Sequence, residues 1–149
     1  MKYVDLPPVW LAAALALTWW IAQTHPLGLA FHALWLGLPG GLLVGGGLIL
    51  MLLAVIEMRK WHTTLMPHEI PSHLVQSGIY RRTRNPIYLG DLMVLAGMIL
   101  YWDAPLALPL VPVLMWILER RFIIPEENRM RRTFRQDFFR YTQKTRRWV

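Results

Sequence analysis

The sequence predicts an all-α integral membrane protein of about four transmembrane helices, and three observations carry that fold class. No Lys, Arg, Asp or Glu occurs between Leu6 and Ile56. A soluble domain needs polar positions on the outer face of every element, so this stretch has lipid as its solvent. The charge is also confined. Of 16 Lys and Arg, Lys2, Arg59, Lys60, Arg81, Arg82 and Arg84 fall before the first apolar segment or between the second and third, and the rest lie from Arg120 onward. Finally, Asp103-Ala104-Pro105 divides the last apolar region and predicts a tight helical hairpin.

Segment one runs from about Leu6 to Ala22, with Trp19 and Trp20 placed for a headgroup belt. The Gly- and Pro-containing stretch from His25 to Gly41 reads as a short luminal or periplasmic connection. Segment two is centred on Leu42 to Ile56, where Gly45, Gly46 and Gly47 permit close approach of a neighbouring helix. Segment three spans about Ile87 to Trp102, with Asn85 as cap and Pro86 in the first turn. After Asp103, taken as a helix cap, segment four continues to about Leu118, and Pro109 and Pro112 are expected to bend it or break its ladder. Met130, Phe134, Phe138 and Tyr141 then form one apolar stripe, the mark of a C-terminal amphipathic cytosolic helix lying on the membrane or covering a pocket.

Cytosolic loops of membrane proteins collect Lys and Arg, so four spans put both termini in the cytosol. A first apolar stretch without a small-residue cleavage site, followed by a second, argues against a removed signal peptide. The formal charge of +7 is accounted for by anionic headgroups as partners; no recognised nucleic-acid module accompanies it. The absence of cysteine excludes disulfides, thiolate metal sites and cysteine nucleophiles, and no metal site is expected. At 149 residues the chain is one domain, with N-terminal spans over 1–58 and a loop, hairpin and terminal helix over 59–149.

The chemistry-bearing residues fall in two cytosolic stretches. The first contains Ser72-His73-Leu74-Val75-Gln76-Ser77-Gly78-Ile79-Tyr80 and Arg84-Asn85-Pro86-Ile87-Tyr88-Leu89-Gly90. A helix starting at Asn85-Pro86 on the membrane surface offers free N–H groups and a positive dipole end to an anionic ligand group. Gly90 would admit a ligand close to the helix backbone, with Tyr88 nearby. A capped helix with an interfacial tyrosine explains the same residues without a ligand. The second stretch holds Pro125-Glu126-Glu127, which also reads simply as two acids in a first helical turn.

Taken together, these motifs resemble the isoprenylcysteine carboxyl methyltransferase and phospholipid methyltransferase superfamily, in its small bacterial form. The resemblance runs from the Thr63-Thr64…Pro67 lead-in through Leu74–Tyr80, Arg84–Gly90, Glu126-Glu127 and Phe134–Tyr141 to about Trp148. It implies S-adenosylmethionine as cofactor, contacted by His73, Leu74, Val75, Tyr80, Asn85, Pro86, Tyr88, Gly90, Glu126 and Glu127. The Glu pair would hold hydroxyl or amino groups of the cofactor. A membrane lipid or hydrophobic small molecule would be the acceptor, entering sideways from the bilayer, and a bacterial inner membrane would be the location. Phospholipid amine, isoprenyl or other hydrophobic carboxylate, and small thiol are all compatible acceptors. Catalytic residues are unassigned, with Arg121 a candidate for acceptor positioning.

The chain departs from the family pattern at His62 and Arg135, where glycine is usual, and at Phe138, which replaces a tyrosine. Asn85 in place of histidine is nearer the phospholipid enzymes. Two rival readings are an NADPH-dependent membrane reductase of the sterol reductase type, since Asp91 follows Gly90, and a non-catalytic membrane subunit.

The confined charge predicts that a reporter fused after Val149 is cytosolic and that one inserted at Gly28 is on the opposite side. Protease protection of both on the same side would defeat the four-span arrangement.

Overall fold

The computed structural model describes residues 5–24, 34–63 and 69–149, and the regular elements among them are all helical. They are α1 (Pro7–Thr24), α2 (Leu34–Lys60), α3 (Pro86–Tyr101), α4 (Leu110–Leu118), α5 (Ile124–Phe134) and α6 (Gln136–Lys144). Lys2, residues 25–33 of the expected connection, and Thr64 to Pro67 lie outside the described residues. That connection does not extend to Gly41 as expected: α2 begins at Leu34 and carries Pro39 within it.

By length and composition, one described helix, over Gly37–Lys60, is long and apolar enough to cross a membrane. Its outer face is apolar, with Leu38, Leu42, Leu48, Ile49, Leu52 and Ile56 each more than half exposed. A contiguous exposed apolar face of this kind needs lipid or protein against it. On α1, Trp19 and Trp20 are likewise exposed.

Helices α2 and α3 meet backbone to backbone. A Cβ added at Gly47 would stand 2.7 Å from the carbonyl oxygen of Gly90, and one at Gly97 would stand 2.5 Å from that of Gly40. Close approach through small residues is what the Gly45-Gly46-Gly47 run suggested, but the contact residue is Gly47, while nothing lies within 4 Å of a Cβ at Gly45. This packing overturns one assignment. Gly90 faces α2, where a side chain would collide with Gly47 and Met51, and so it is a helix-packing residue rather than an opening for a ligand.

The α3–α4 hairpin is present, with different end chemistry. Asp103 is not a helix cap: at φ 52° it ends α3 in the left-handed region. The Ala104 N–H donates to the Ile99 carbonyl at 2.9 Å and the Asp103 N–H to that of Leu100 at 3.2 Å, the paired bonds of a Schellman ending. A short 3-10 turn over Pro105–Ala107 follows. Neither later proline breaks α4, because Pro109 precedes its first residue and Pro112 lies in its first turn, where an N–H has no helical acceptor.

From α4 the chain stays helical through a π-type turn over Glu119–Ile123 into α5. Pro125 has no N–H and its ring crowds the carbonyl four residues back, so a regular α-helix is disfavoured there and the wider turn relieves it. Glu126 and Glu127 do lie in the first turn of α5, as expected, but that turn continues the helical path from α4 rather than beginning a free helix. The expected single amphipathic helix is two helices, α5 and α6, broken at Arg135 with φ 44°.

The main core joins Leu92, Leu95 and Ile99 of α3 to Leu114, Leu118, Phe122 and Ile123, with Trp148 packed against it. A smaller cluster unites Leu74 with Phe138 and Tyr141, flanked by Met130 and Phe134. Both clusters border the cavity described below.

The glycine contact gives a paired prediction. Gly97→Ala forces a methyl into backbone and should destabilise by about 1–3 kcal/mol. Gly45→Ala meets open space and should stabilise by up to roughly 1 kcal/mol through helix propensity. Thermal melts in detergent would compare them; equal melting temperatures would reject the backbone contact.

Candidate functional site

The helix start at Asn85-Pro86, the loop before it and the return through α5 enclose a cavity of about 360 Å³. Among the sequence-predicted site residues, His73, Leu74, Val75, Tyr80, Asn85, Pro86, Tyr88, Glu126 and Glu127 line it, and Gly90 does not. Arg84, Asp91, Arg129, Phe138 and Tyr141 also line it, as do Met51 and Met58 of α2 and Leu6 to Pro8 at the start of α1. Apolar walls with a few convergent polar groups are the usual form of a small-molecule site.

Two residues 38 apart in sequence form its central contact, with the Tyr88 hydroxyl donating to Glu126 Oε1 at 2.6 Å. The hairpin makes this possible by bringing the chain back to the surface that α3 left. Burial pushes the Glu126 carboxyl from 4.5 up to about 7, although the Tyr88 hydrogen bond and Arg129 act in the opposite direction.

Glu127 is occupied differently. Arg147 grips it with two bonds, Nε to Oε1 at 3.0 Å and Nη2 to Oε2 at 2.9 Å, and Arg84 Nη1 stands 3.6 Å from Oε1. Arg147 also reaches Glu119 at 3.3 Å, and its pKa is raised first by the hydrogen bond to Glu127. Burial lowers that of Arg84, with Glu127 opposing. The Arg84 Nε is buried with no hydrogen-bond partner.

Backbone bonds bind the same tail to the helix start. The Arg84 N–H donates to the Arg146 carbonyl at 3.0 Å, and the Asn85 side-chain amide donates to the Arg147 carbonyl at 3.0 Å. Asn85 does occupy the cap position of α3, but its side chain makes no capping bond. Its amide holds the C-terminal tail instead.

The loop wall is fixed from α2. Trp61 stacks on His73 at 4.4 Å between ring centroids and donates to Ser77 Oγ at 2.9 Å, while Ser77 donates to Glu57. Gly78 has φ 59°, a region glycine adopts without strain, and a Cβ there would stand 2.6 Å from Glu57 Oε2 and displace that carboxylate. On the far side, the Tyr141 hydroxyl donates to the Tyr80 carbonyl at 2.6 Å. Burial raises the pKa of both phenols, keeping them neutral donors.

Sequence reasoning missed Glu57 and Arg147. Glu57 is the first acid after the long uncharged stretch, a signal that was available; Arg147 sits among other basic residues and carried none. Arg121 is not a lining residue. It pairs with Asp5 at 3.0 Å and lies 5.2 Å from the Trp10 ring centroid, tying α1 to the π-type turn, so acceptor positioning by Arg121 is not supported.

The departures from the family pattern have a backbone explanation. His62, at φ 50°, closes α2 with the Thr63 N–H on the Met58 carbonyl and its own N–H on that of Arg59. Both His62 and Arg135 therefore adopt the left-handed region suited to glycine, at roughly 1–2 kcal/mol each. Phe138 is 1% exposed and packs in an apolar cluster, where a hydroxyl would need a partner.

A family model described as phospholipid methyltransferase matches residues 35–137, from the start of α2 into α6. No curated protein and no solved structure matches the chain.

The Glu126 carboxyl gives the fold a pH dependence. Between 4.5 and about 7 the folded state holds a proton that the unfolded chain has released. This group's contribution to stability is therefore full below 4.5 and lost as pH rises through about 7. Melting temperatures across that window should fall more steeply for the native chain than for Glu126→Gln, which has no proton to lose. Parallel profiles would show that the carboxyl is not shielded.

Proposed function

The chain belongs to the phospholipid methyltransferase family, and from that membership we propose that it is an integral membrane S-adenosylmethionine-dependent methyltransferase with a lipid-like or hydrophobic acceptor. The observation that carries the reading is the Tyr88–Glu126 hydrogen bond of 2.6 Å, which joins the two motif stretches in one cavity.

The residues fit the cofactor's chemistry. Tyr88 engages Glu126 Oε1, which leaves Oε2 to accept from the hydroxyl or amino groups of an adenosine or methionine moiety. The unpartnered Arg84 Nε is a charged donor suited to the methionine carboxylate. His73, Leu74, Val75 and Tyr80 form the wall for the adenosine part, with Asn85 and Pro86 at the helix start. Glu127 acts through Arg84 and Arg147, holding the wall rather than reaching across it.

S-adenosylmethionine supplies a methyl group on a positively charged sulfur, ready for in-line displacement. The protein's part is alignment and dryness: Leu74, Phe138 and Tyr141 cover the cavity and keep water from competing with the acceptor. In the four-span arrangement with cytosolic termini, the cofactor enters from the cytosol and the acceptor from the bilayer. The apolar residues Met51, Leu6, Pro7 and Pro8 form the acceptor's side of the cavity.

Titration calorimetry in lipid nanodiscs tests the cofactor. S-adenosylmethionine and S-adenosylhomocysteine should bind and NADPH should not; saturable NADPH binding with no response to the other two would favour the reductase. Glu126→Gln should weaken binding by roughly 1.5–3 kcal/mol, the range for a hydrogen bond to a charged group. Tyr88→Phe should cost less, and the double variant should depart from the sum of the two because the residues share a ligand and a bond. Unchanged affinity in folded Glu126→Gln would remove Glu126 from the site.

A further inference from the structure

Four acids, Glu69, Asp91, Glu126 and Glu127, line the cavity, and among the described residues Asp91 is the one whose carboxyl has no partner. Tyr88 binds Glu126, and Arg147 and Arg84 bind Glu127. Asp91 lines the same cavity and is 4% exposed, yet its Oδ2 has no hydrogen-bond partner and no Lys, Arg or His among the described residues pairs with it. A buried acid in an apolar wall is costly to keep without a partner. Packing does not require an acid here, since the α2 contact is made by neighbouring Gly90.

We propose that Asp91 is the residue that receives the acceptor, pairing with an alkylammonium group and taking its proton before methyl transfer. The inference rests on the methyltransferase reading with an amine as acceptor, and adds the residue that receives the amine's proton. Position selects the acceptor over the cofactor. Asp91 lies three residues beyond Tyr88 on α3, about 4.5 Å farther along the axis from the loop that walls the cofactor. Met51, on the apolar stretch of α2, packs beside Gly90 at that level. A hydrophobic carboxylate placed there would set two acids together without a cation, whereas an ammonium supplies the missing partner.

The chemistry balances. The ammonium gives one proton to the Asp91 carboxylate and becomes a neutral amine. Its lone pair then forms the N–C bond to the sulfonium methyl as the C–S bond breaks, with the bonding pair remaining on sulfur. The product is a methylated ammonium beside a neutral thioether, and Asp91 later returns its proton to water.

The test uses the full chain in nanodiscs with methyl-labelled S-adenosylmethionine. Phosphatidylethanolamine in the bilayer, free ethanolamine and a long-chain fatty acid are the separate acceptors. Label should enter an amine, and the arm that takes it tells a lipid headgroup from a soluble source. Asp91→Asn should lower kcat/KM by about 100-fold or more, the scale of a lost proton acceptor. Its melting temperature and affinity for S-adenosylhomocysteine should stay close to native, and Asp91→Glu should recover part of the rate. Loss of affinity for cationic S-adenosylmethionine, with that for neutral S-adenosylhomocysteine retained, would assign Asp91 to the cofactor sulfur and overturn the proposal. So would label entering only the fatty acid, an outcome read on the native chain even if Asp91→Asn does not fold. Absence of binding by either cofactor form would instead remove the methyltransferase reading, and this inference with it.

Discussion

Everything at the site depends on how close α2 and α3 come. Lipid tails are as apolar as leucine, so helices in a bilayer gain little from hiding apolar surface against each other and associate through close packing. Gly40 against Gly97 and Gly47 against Gly90 let the two backbones touch at points seven residues apart on each helix. Fixing α3 at two points two turns apart fixes its rotation. With Gly90 and Gly97 turned to α2, Tyr88 and Asp91 fall on the cavity side. The same contact holds the C-terminal end of α2 near the loop, where Glu57 and Trp61 secure Ser77 and Gly78.

The C-terminal tail completes what the helices begin. Residues 146 and 147 offer carbonyls to Arg84 and Asn85, and the Arg147 side chain spans Glu119 and Glu127. Trp148 packs on the main core and donates to Glu119 at 2.9 Å. One short strap thus joins the start of α3 to the π-type turn and α5, the two walls that must stay together for Tyr88 to meet Glu126. The bidentate Arg147–Glu127 geometry also sets the two acids apart: both line the cavity, but Glu127 is held by arginines while Glu126 bonds Tyr88.

Much was legible because it follows from local chemistry. The uncharged stretch, the hairpin turn and the apolar stripe are solvent and periodicity statements, and helices formed in each place. Where local rules failed, a competing local rule prevailed. Asp103 was taken as a cap because aspartate often caps, but aspartate also tolerates positive φ, and the turn required that. Pro109 and Pro112 were taken as breakers, yet proline at or just inside a helix start costs little.

The sequence by itself determined the helical class, the confinement of charge to a few stretches of the chain, and nine of the residues that line the cavity. Those properties depend on residue type and spacing, which a one-dimensional pattern records. Only the tertiary structure decided which residues meet. It turned Gly90 to α2, gave Arg121 to Asp5 and Arg147 to Glu127, and left Asp91 without a partner among the described residues. Helix rotation and long-range ion pairing depend on contacts between segments tens of residues apart, and no local pattern encodes them.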